Sequence, residues 1–258
     1  MMLQDFTRKP FQVRGVNIHS LTAEDLAFLI SRAVESKSKI LVFYINLHGL
    51  VLAWKNPGFK EILNRADWVL CDGEAGRYAS KAYGYKPPEK IALTRWIWDL
   101  AAFCSEKQYR LFLLGAQPGV ADEAARCLKE KHPALLIAGT QHGYFKQEGP
   151  ENERLIQTIN ESKADILMVG LGMPRQEEWL MRNKAQLNPR VAIACGGALD
   201  YAAGDLGEAP QWMIAARIEW VFRIWEEPVR LAERYLTEIP YFFICIFWDK
   251  LKHFFKTG

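Results

Sequence analysis

Residues 110–120 have the sequence RLFLLGAQPGV, in which a mostly apolar run is followed by a turn of glycine and proline. The run Arg110–Leu114 predicts a buried β-strand, and apolar residues spaced by three and four in Val120–Lys131 predict a helix. A buried strand, a short glycine turn and a helix form one unit of an α/β sheet. This stretch therefore predicts the fold class of the residues around it.

The same alternation of strand and helix patterns continues along the chain. Arg175–Leu187 has helical spacing after Pro174, and proline is tolerated just inside a helix start. Further buried strands are predicted at Ile40–Asn46, Trp68–Cys71, Ala134–Ala138, Asp165–Val169 and Arg190–Cys195. Repeated units of this kind predict an α/β fold with a doubly wound, mostly parallel, Rossmann-like sheet.

The N-terminal residues form a smaller unit. Phe11–Ile18 predicts one small strand, and Thr22–Ser36 predicts a helix. Asp25 follows Thr22 at the spacing of a capping box, so we expect the helix to begin at this threonine.

The pattern changes after Gly204. From there on no strand pattern remains, and the aromatic-rich sequence is helical throughout. We therefore expect an α/β domain over residues 1–208 and a C-terminal helical appendage over residues 209–258 that packs on it.

Composition and charge exclude several classes of protein. The 258 residues are 50% hydrophobic and 24% charged, which is typical of a compact globular protein and excludes a disordered chain. The formal net charge is +3, so bulk charge does not indicate a nucleic-acid partner. The five cysteines are widely spread with no pair at metal-ligand spacing, which predicts buried apolar residues in a reducing cytoplasm.

No segment has the pattern of a targeting signal or a membrane span. The first residues lack a basic region followed by an apolar run, so we expect no signal peptide. The longest apolar run, Tyr241–Trp248, has eight residues, whereas a spanning helix needs about 20. A segment that lies on the membrane surface stays possible.

Polar and aromatic residues follow several predicted strands, where ligands of an open α/β sheet bind. Asp72, before Gly73, either caps the next helix or serves as a general base. Asp200 could accept a hydrogen bond from a nucleobase or a ribose hydroxyl. Tyr144, after Gly143, either packs in the core or offers its ring to a nucleobase.

Glycines at two strand ends expose backbone N–H groups close to helix starts. These turns contain Gly115 and Gln117, and then Gly170, Gly172, Arg175 and Gln176. Such turns suit a phosphate, although tight turns use the same residues with no ligand. The side-chain donors beside the second turn favour a phosphate.

Missing motifs narrow the chemistry further. The chain has no P-loop, and the dinucleotide fingerprint is reduced to Gly170-Leu171-Gly172, so an oxidoreductase that uses a nucleotide is the weaker alternative. No Asp-x-Asp pair is present to hold a divalent ion on a diphosphate. We expect no metal and no cofactor, with helix ends and side-chain donors facing the phosphates.

Short motifs occur in a fixed order along the chain. They are Asn46, Asp72-Gly73, residues 115–121 (GAQPGVA), Gly143-Tyr144-Phe145, residues 170–177 (GLGMPRQE), residues 196–201 (GGALDY), Ala209-Pro210 with Trp212, and Arg223, Arg230 and Arg234 before Tyr235. In this order they resemble the WecG/TagA/CpsF family of bacterial glycosyltransferases over nearly the whole chain.

The resemblance implies an inverting, metal-independent transfer from a UDP-sugar to a saccharide carried on a polyprenyl diphosphate, in cell-surface polysaccharide synthesis. It implies N-acetylmannosamine, N-acetylmannosaminuronate or glucose as the sugar. By motif position, Asp72 would be the general base, Asn46 would position the sugars and Gln176 would lie beside the diphosphate. The other implied substrate contacts are Tyr44, Gly73, Gly115, Gln117, Gly143, Tyr144, Gly170, Gly172, Arg175, Gly197, Asp200, Arg223, Arg230 and Arg234.

Three segments depart from the family pattern. Tyr44-Ile45-Asn46 stands where many members have Thr-Pro-Asn, residues 89–95 (EKIALTR) replace an Arg-x-x-Gly-x-Asp segment, and Glu208-Ala209-Pro210 replaces Arg-Ala-Pro. All three lie near the expected sugars, so they leave the sugar identity open. Arg95 or Arg175 could pair with a uronate, and either could equally face a phosphate.

The C-terminal aromatic run is followed by Lys250, Lys252, His253 and Lys256. Aromatics interleaved with lysines are typical of a helix that lies on anionic lipid. The alternative is a helix docked on the core or on another subunit. A lipid-linked acceptor favours the inner face of the cytoplasmic membrane, and closure of the helix could bring the C-terminal arginines to the cleft.

Two other functions stay open at this point. One is the nucleotide-dependent oxidoreductase. The other is a non-catalytic, membrane-peripheral protein whose glycine turns bind nothing. Homo-oligomerisation is also left open by the sequence.

Overall fold

The computed structural model describes residues 10–207, 209–216 and 218–257, except for the side chains of residues 229, 230, 253, 254, 256 and 257. Within these residues the chain forms eight strands. They are β1 (Phe11–Val13), β2 (Val16–Ile18), β3 (Ile40–Ile45), β4 (Trp68–Cys71), β5 (Arg110–Gly115), β6 (Leu136–Gln141), β7 (Ile166–Gly170) and β8 (Val191–Ala194).

Helices follow most of the strands. They are α1 (Ala23–Glu35), α2 (Leu47–Lys55), α3 (Pro57–Asn64), α4 (Glu74–Ala82), α5 (Leu93–Lys107), α6 (Val120–Lys131), α7 (Pro150–Glu161), α8 (Arg175–Asn183), α9 (Ala198–Ala203), α10 (Gln211–Ala215), α11 (Glu219–Glu226) and α12 (Pro228–Thr257). In the described ranges, no helix combines the length and the apolar character needed to cross a membrane.

Six of the strands form one parallel sheet in the order β4-β3-β8-β7-β5-β6. All six carboxyl ends therefore meet at one edge, where the chain turns from strand to loop. The expected doubly wound, Rossmann-like α/β fold is confirmed.

The sheet has a hydrophobic core on each face. In β3 the side chains of Val42 and Tyr44 join one core, while those of Phe43 and Ile45 join the other. Helices cover both faces, so both sets of alternating side chains are buried. This arrangement explains why the strands have continuous apolar sequences.

The last helix packs on the sheet domain. Phe242 of α12 stacks on Trp54 of α2, with ring centroids 5.5 Å apart, and Ile246 is buried in the same core. The expected contact between the C-terminal helices and the α/β domain is confirmed. The boundary between residues 208 and 209 stays a prediction.

Three predicted elements have different bounds. Phe11–Ile18 is a two-stranded hairpin because Arg14 and Gly15 have φ angles of 48° and 80° and reverse the chain. The strand predicted at Ala134–Ala138 begins later, because the backbone N–H of Leu135 donates to His132 and closes a turn before it.

The helix predicted over Arg175–Leu187 ends at Asn183 instead. The Asn183 side chain donates to the carbonyl oxygen of Trp179 and accepts from Asn152 of α7. The predicted start at Thr22 is confirmed, since its hydroxyl and the Asp25 carboxylate form both bonds of a capping box. Four of the five cysteines are buried, and Cys127 is partly exposed.

Substitution of Gly170 tests how closely two strand ends pack. A Cβ atom at Gly170 would lie 2.6 Å from the carbonyl oxygen of Gly196, so Gly170→Ala forces the loop after β8 to move. We expect it to lower the free energy of unfolding by about 1–3 kcal/mol in urea titrations.

The control is Gly58→Ala in α3, where the nearest atom to the new Cβ is the Asn56 Oδ1 at 3.3 Å. Alanine in a helix should cost nothing or stabilise by up to about 1 kcal/mol. Equal losses in the two variants would contradict the close packing at Gly170.

Candidate active site

A cleft of about 1140 Å³ lies at the carboxyl edge of the sheet. Each of the six strands contributes a lining residue from the loop that follows it. These residues are Asn46, Asp72, Gln117, Tyr144, Gly172 and Gly197. The C-terminal helices form another wall, which contains Arg223, Arg234 and Tyr235.

Most of the residues expected to meet substrate line this one cleft. They are Asn46, Asp72, Gly73, Gln117, Gly143, Tyr144, Gly170, Gly172, Arg175, Gly197, Asp200, Arg223 and Arg234. Residues from seven separate parts of the sequence therefore come together. The side chain of Arg230, also expected there, lies outside the described residues.

Three expected substrate contacts are not on the cleft wall. The Tyr44 side chain is buried in a core, because it alternates with Phe43 and Ile45 along β3. Gly115 lies beneath the wall, where a Cβ atom would overlap the Gly170 backbone.

Gln176 also lies beneath the wall, with 2% of its surface exposed. Its Oε1 accepts from the backbone N–H groups of Gly172 at 3.2 Å and Gly196 at 3.0 Å. Its Nε2 donates to Glu177 Oε1 at 2.7 Å. The side chain thus joins the loops after β7 and β8, which differs from the expected place beside a diphosphate.

Glu177 holds the Gln176 amide in this orientation. The Glu177 side chain is fully buried, and its Oε2 has no hydrogen-bond partner in the described part of the chain. Burial raises the pKa of Glu177 to about 7, although the hydrogen bond from Gln176 lowers it. The hydrogen bonds that join the two loops therefore involve a carboxyl group that titrates near neutral pH.

Asp72 faces the cleft and does not cap a helix. The N-cap of α4 is Gly73, and no side-chain cap bond is present there. The Asp72 backbone N–H donates to the Ile45 carbonyl oxygen at 2.9 Å, which fixes the residue beside the end of β3. Its alternative reading as a helix cap is therefore wrong.

Burial and charge act in opposite directions on Asp72. Burial raises its pKa above the ordinary aspartate value, and the nearby positive charges of Arg223, Lys90 and Arg95 lower it. Burial is the larger effect, so the carboxyl group has a raised pKa. A raised pKa makes a carboxylate a better proton acceptor near neutral pH.

The cations near Asp72 are held by the C-terminal helices. Arg223 Nε donates to the Tyr201 hydroxyl at 2.9 Å, and its guanidinium lies 5.1 Å from the centre of the Tyr201 ring. Glu219 of α11 bridges Lys90 at 2.6 Å and Arg95 at 3.3 Å. These contacts join α11 to the sheet domain on two sides of the cleft.

Asn46 has a structural bond as well as a place in the cleft. It is the N-cap of α2, and its Oδ1 accepts from the Gly49 backbone N–H at 3.1 Å. The amide NH2 is the part of the side chain that is left to meet a substrate. Two residues later, His48 Nδ1 lies 2.5 Å from Glu238 Oε1 of α12, which links α2 to the last helix.

Tyr144 is 65% exposed at the rim of the cleft. A core position, one of its two interpretations, is therefore wrong. Near it, Gln117, Pro118 and Val120 line the cleft at the start of α6, and Arg175 lines it at the start of α8.

Several cleft residues were missed from the sequence. They are His48, Lys90, Thr94, Glu219, Tyr235 and Glu238. None of them directly follows a predicted strand, and the partners of Glu219 are more than 120 residues away in sequence. The available signals were the departing segment 89–95, which contains Lys90 and Thr94, and the position of Tyr235 directly after Arg234 in the motif series.

Comparison with known proteins gives a consistent result. Residues 11–255 match the Glycosyl transferase WecG/TagA/CpsF family. An N-acetylglucosaminyldiphosphoundecaprenol N-acetyl-beta-D-mannosaminyltransferase of Bacillus spizizenii is 29% identical over 201 residues, 78% of this chain and 74% of the relative. A protein of the same name from Staphylococcus aureus (strain MRSA252) is 27% identical over 220 residues, 85% of this chain and 84% of the relative.

The buried carboxyl of Glu177 predicts a pH-dependent stability. Its folded-state pKa is raised to about 7 from 4.5, so its contribution is fully present below pH 4.5 and is lost as the pH rises through 7. Between these limits the parent should lose about 3 kcal/mol of unfolding free energy relative to Glu177→Gln. Urea unfolding of both proteins near pH 4.5 and above pH 7 measures this difference.

Glu153→Gln on the exposed surface of α7 is the matched control, and it should follow the parent at every pH. Parallel stability curves for the parent and Glu177→Gln would mean that this carboxyl does not titrate in the folded protein as described.

Proposed function

This chain belongs to the WecG/TagA/CpsF family of glycosyl transferases, and we propose that it transfers a sugar from a UDP-sugar to a saccharide on a polyprenyl diphosphate. The observation that carries the proposal is the position of Asp72. Its carboxyl lies in a cleft between glycine turns at helix starts and a wall that contains Arg223 and Arg234. A base and sites for phosphate thus face the same space.

We propose Asp72 as the general base. In its ionised form it takes the proton of the acceptor hydroxyl as the oxygen attacks the anomeric carbon of the donor sugar. The diphosphate leaves from the opposite side of that carbon, so the configuration inverts. Asn46, fixed as the cap of α2, is placed to donate from its amide NH2 to one of the two sugars.

Negative charge develops on the leaving diphosphate, and the cleft contains groups that can stabilise it. The starts of α6 and α8 direct backbone N–H groups and the positive end of each helix dipole towards the cleft. Arg175 and Arg223 supply guanidinium groups, which match phosphate geometry. These donors support a transfer that needs no metal ion.

Tyr144 and Asp200 are the candidates for contacts with uridine. The exposed ring of Tyr144 can stack on a base, and the Asp200 carboxylate can accept from a base N–H or a ribose hydroxyl. Gln176 acts indirectly in this proposal, because its amide holds two of the cleft loops in place.

The relatives suggest which sugars to try first. Their names give an N-acetylglucosaminyl diphosphoundecaprenol acceptor and an N-acetylmannosaminyl group that is transferred. We propose the same acceptor class here, with UDP-N-acetylmannosamine as the first donor. The second donor to test is UDP-N-acetylmannosaminuronate, because Lys90 or Arg95 near Asp72 could pair with its carboxylate.

Family membership favours transfer over the two other functions. The turn at Gly170, which an oxidoreductase would use, packs against the loop after β8, where a Cβ atom at Gly170 would lie 2.6 Å from the carbonyl oxygen of Gly196. A carboxyl group with a raised pKa, in a cleft that also contains cations, is typical of a catalytic site and favours an enzyme over a non-catalytic protein.

We also propose that the protein binds the inner face of the cytoplasmic membrane through α12. Ile244, Phe247, Trp248 and Phe255 are 53%, 62%, 54% and 74% exposed, and we call these four residues the outer face of α12. They share one side of the helix, and Lys250 and Lys252 are exposed close by. Such a surface is suited to anionic lipid.

Asp72→Asn tests the proposed base. The amide keeps the shape of the side chain and cannot accept the proton, so kcat should fall by about 10²–10⁴-fold. The assay follows transfer from UDP-N-acetylmannosamine to the lipid-linked acceptor. The acid limb of the pH profile, which should lie above the ordinary aspartate pKa of about 3.9, should vanish in the variant.

Calorimetric titration with UDP is the control, because the variant should bind the nucleotide as the parent does. An unchanged product yield would remove Asp72 from the mechanism, and NAD binding without a response to UDP would contradict the proposed function.

The double variant Phe247→Gln and Trp248→Gln tests membrane binding. Both side chains are more than half exposed, so the fold should tolerate the change. Loss of two aromatic contacts with lipid should lower binding to vesicles with anionic lipid at least about tenfold in flotation assays.

Phe28→Gln is the matched control, because Phe28 is 50% exposed on α1, which covers the opposite face of the sheet. Equal flotation of the double variant and the parent with lipid would contradict the proposed membrane binding.

A further inference from the structure

The cleft-facing side of α12 changes character along the helix. Arg234 and Tyr235 line the cleft near its start, and the charge of Asp72 helps to raise the pKa of Tyr235, so this part of the helix lies close to the proposed base. Further along, the lining residues are Ile239, Phe242 and Phe243. From Arg234 to Phe243, the lining residues of α12 therefore change from cationic and polar to apolar along the helix.

The apolar part of this wall reaches the protein surface. Ile239, Phe243 and Phe247 are spaced by four residues and so form one row along α12. Ile239 and Phe243 line the cleft, while Phe247 belongs to the outer face. Phe243 lies between Ile239 and Phe247 in the row, lines the cleft and is 56% exposed. The row is about 12 Å long.

Apolar residues from the sheet domain line the same cleft. Leu47 comes from the start of α2, and Met173 comes from the loop after β7. Met173 packs against α2, where a Cβ atom at Gly49 would lie 3.0 Å from its sulfur. Glu238, the acidic residue directly before Ile239 on α12, is buried and paired with His48. A hydrocarbon chain in this part of the cleft would thus meet mainly apolar side chains.

We propose that the isoprenoid chain of the acceptor leaves the cleft along the row Ile239, Phe243 and Phe247. An acceptor has its sugar, its diphosphate and its hydrocarbon in linear order. Asp72 lies near Tyr235 of α12 in the cleft, and along that helix Arg234 is followed by the apolar residues Ile239 and Phe243. From Arg234 to Phe243 is about 14 Å along the helix, so one acceptor can contact both.

The inference rests on the proposed function and adds a binding subsite to it. The row joins the cleft to the outer face of α12, so the chain passes from the protein into the bilayer without crossing polar surface. The diphosphate of the acceptor then stays beside Arg234, at the level of the lipid headgroups. Phe243 lies where this path passes from the cleft to the protein surface.

Kinetics in detergent with two acceptors test the subsite. One acceptor has an undecaprenyl chain, and the other has the same sugar diphosphate on a short, water-soluble alkyl group. Phe243→Gln should raise KM for the undecaprenyl acceptor about tenfold and leave kcat unchanged, because an apolar contact with the chain is lost. KM for the short acceptor should not change.

Two further variants give the comparison. Phe243→Leu keeps an apolar side chain and should restore most of the affinity for the undecaprenyl acceptor. Leu236→Gln changes another exposed apolar residue of α12, 76% exposed and outside the cleft, and should leave KM for both acceptors unchanged.

Equal increases in KM for both acceptors would overturn the inference, because Phe243 would then act on the headgroup site or on the fold. Unchanged KM values in Phe243→Gln would overturn it as well. If the parent transfers sugar to neither acceptor, the proposed function fails. Calorimetry with undecaprenyl diphosphate in the same detergent then decides the subsite, and equal affinity of the parent and Phe243→Gln would exclude it.

Discussion

The close approach of three strand ends is the constraint on which the cleft depends. The Ala116 backbone N–H donates to Gly170 at 3.1 Å, the Cys195 N–H donates to Val169 at 2.7 Å, and Gln176 ties Gly172 to Gly196. Glycine is required where one backbone lies against the next. The side chains that face a substrate are carried by loops whose positions these contacts fix, so the chemistry depends on residues that never touch a substrate.

The sequence predicted the sheet well, because buried parallel strands have continuous apolar runs and their ends are marked by glycine. The sequence-based prediction was wrong where a side chain could point either towards the cleft or into the protein. Tyr44 stands two residues before Asn46, yet the alternation along β3 buries it, and Gln176 turns its amide inwards to the loop backbones. Motif position gives proximity to a site, whereas the direction of a side chain depends on packing that the motif does not contain.

Ion pairs and hydrogen bonds between residues far apart in sequence could not be predicted for a different reason. Glu219 meets Lys90 and Arg95, and His48 meets Glu238, because α11 and α12 dock beside the loops of the sheet domain. No periodicity in one sequence gives the partners of such distant residues. Phe242 of α12 stacks on Trp54 of α2 in the same docked arrangement, so apolar and polar contacts hold the helices together.

The proposed base and the proposed membrane-binding surface are connected through the same two helices. Burial alone would leave Asp72 protonated over a wider pH range, and the charge of Arg223 from α11 opposes that effect. Arg223 keeps its place because α11 packs on α12, whose inner side carries Phe242 and whose outer face we propose to meet lipid. A change in how α12 docks would therefore alter the ionisation of Asp72, the phosphate contacts and the apolar row together. The proposed transfer to a lipid-linked acceptor uses all three, and the docking of α12 affects each of them.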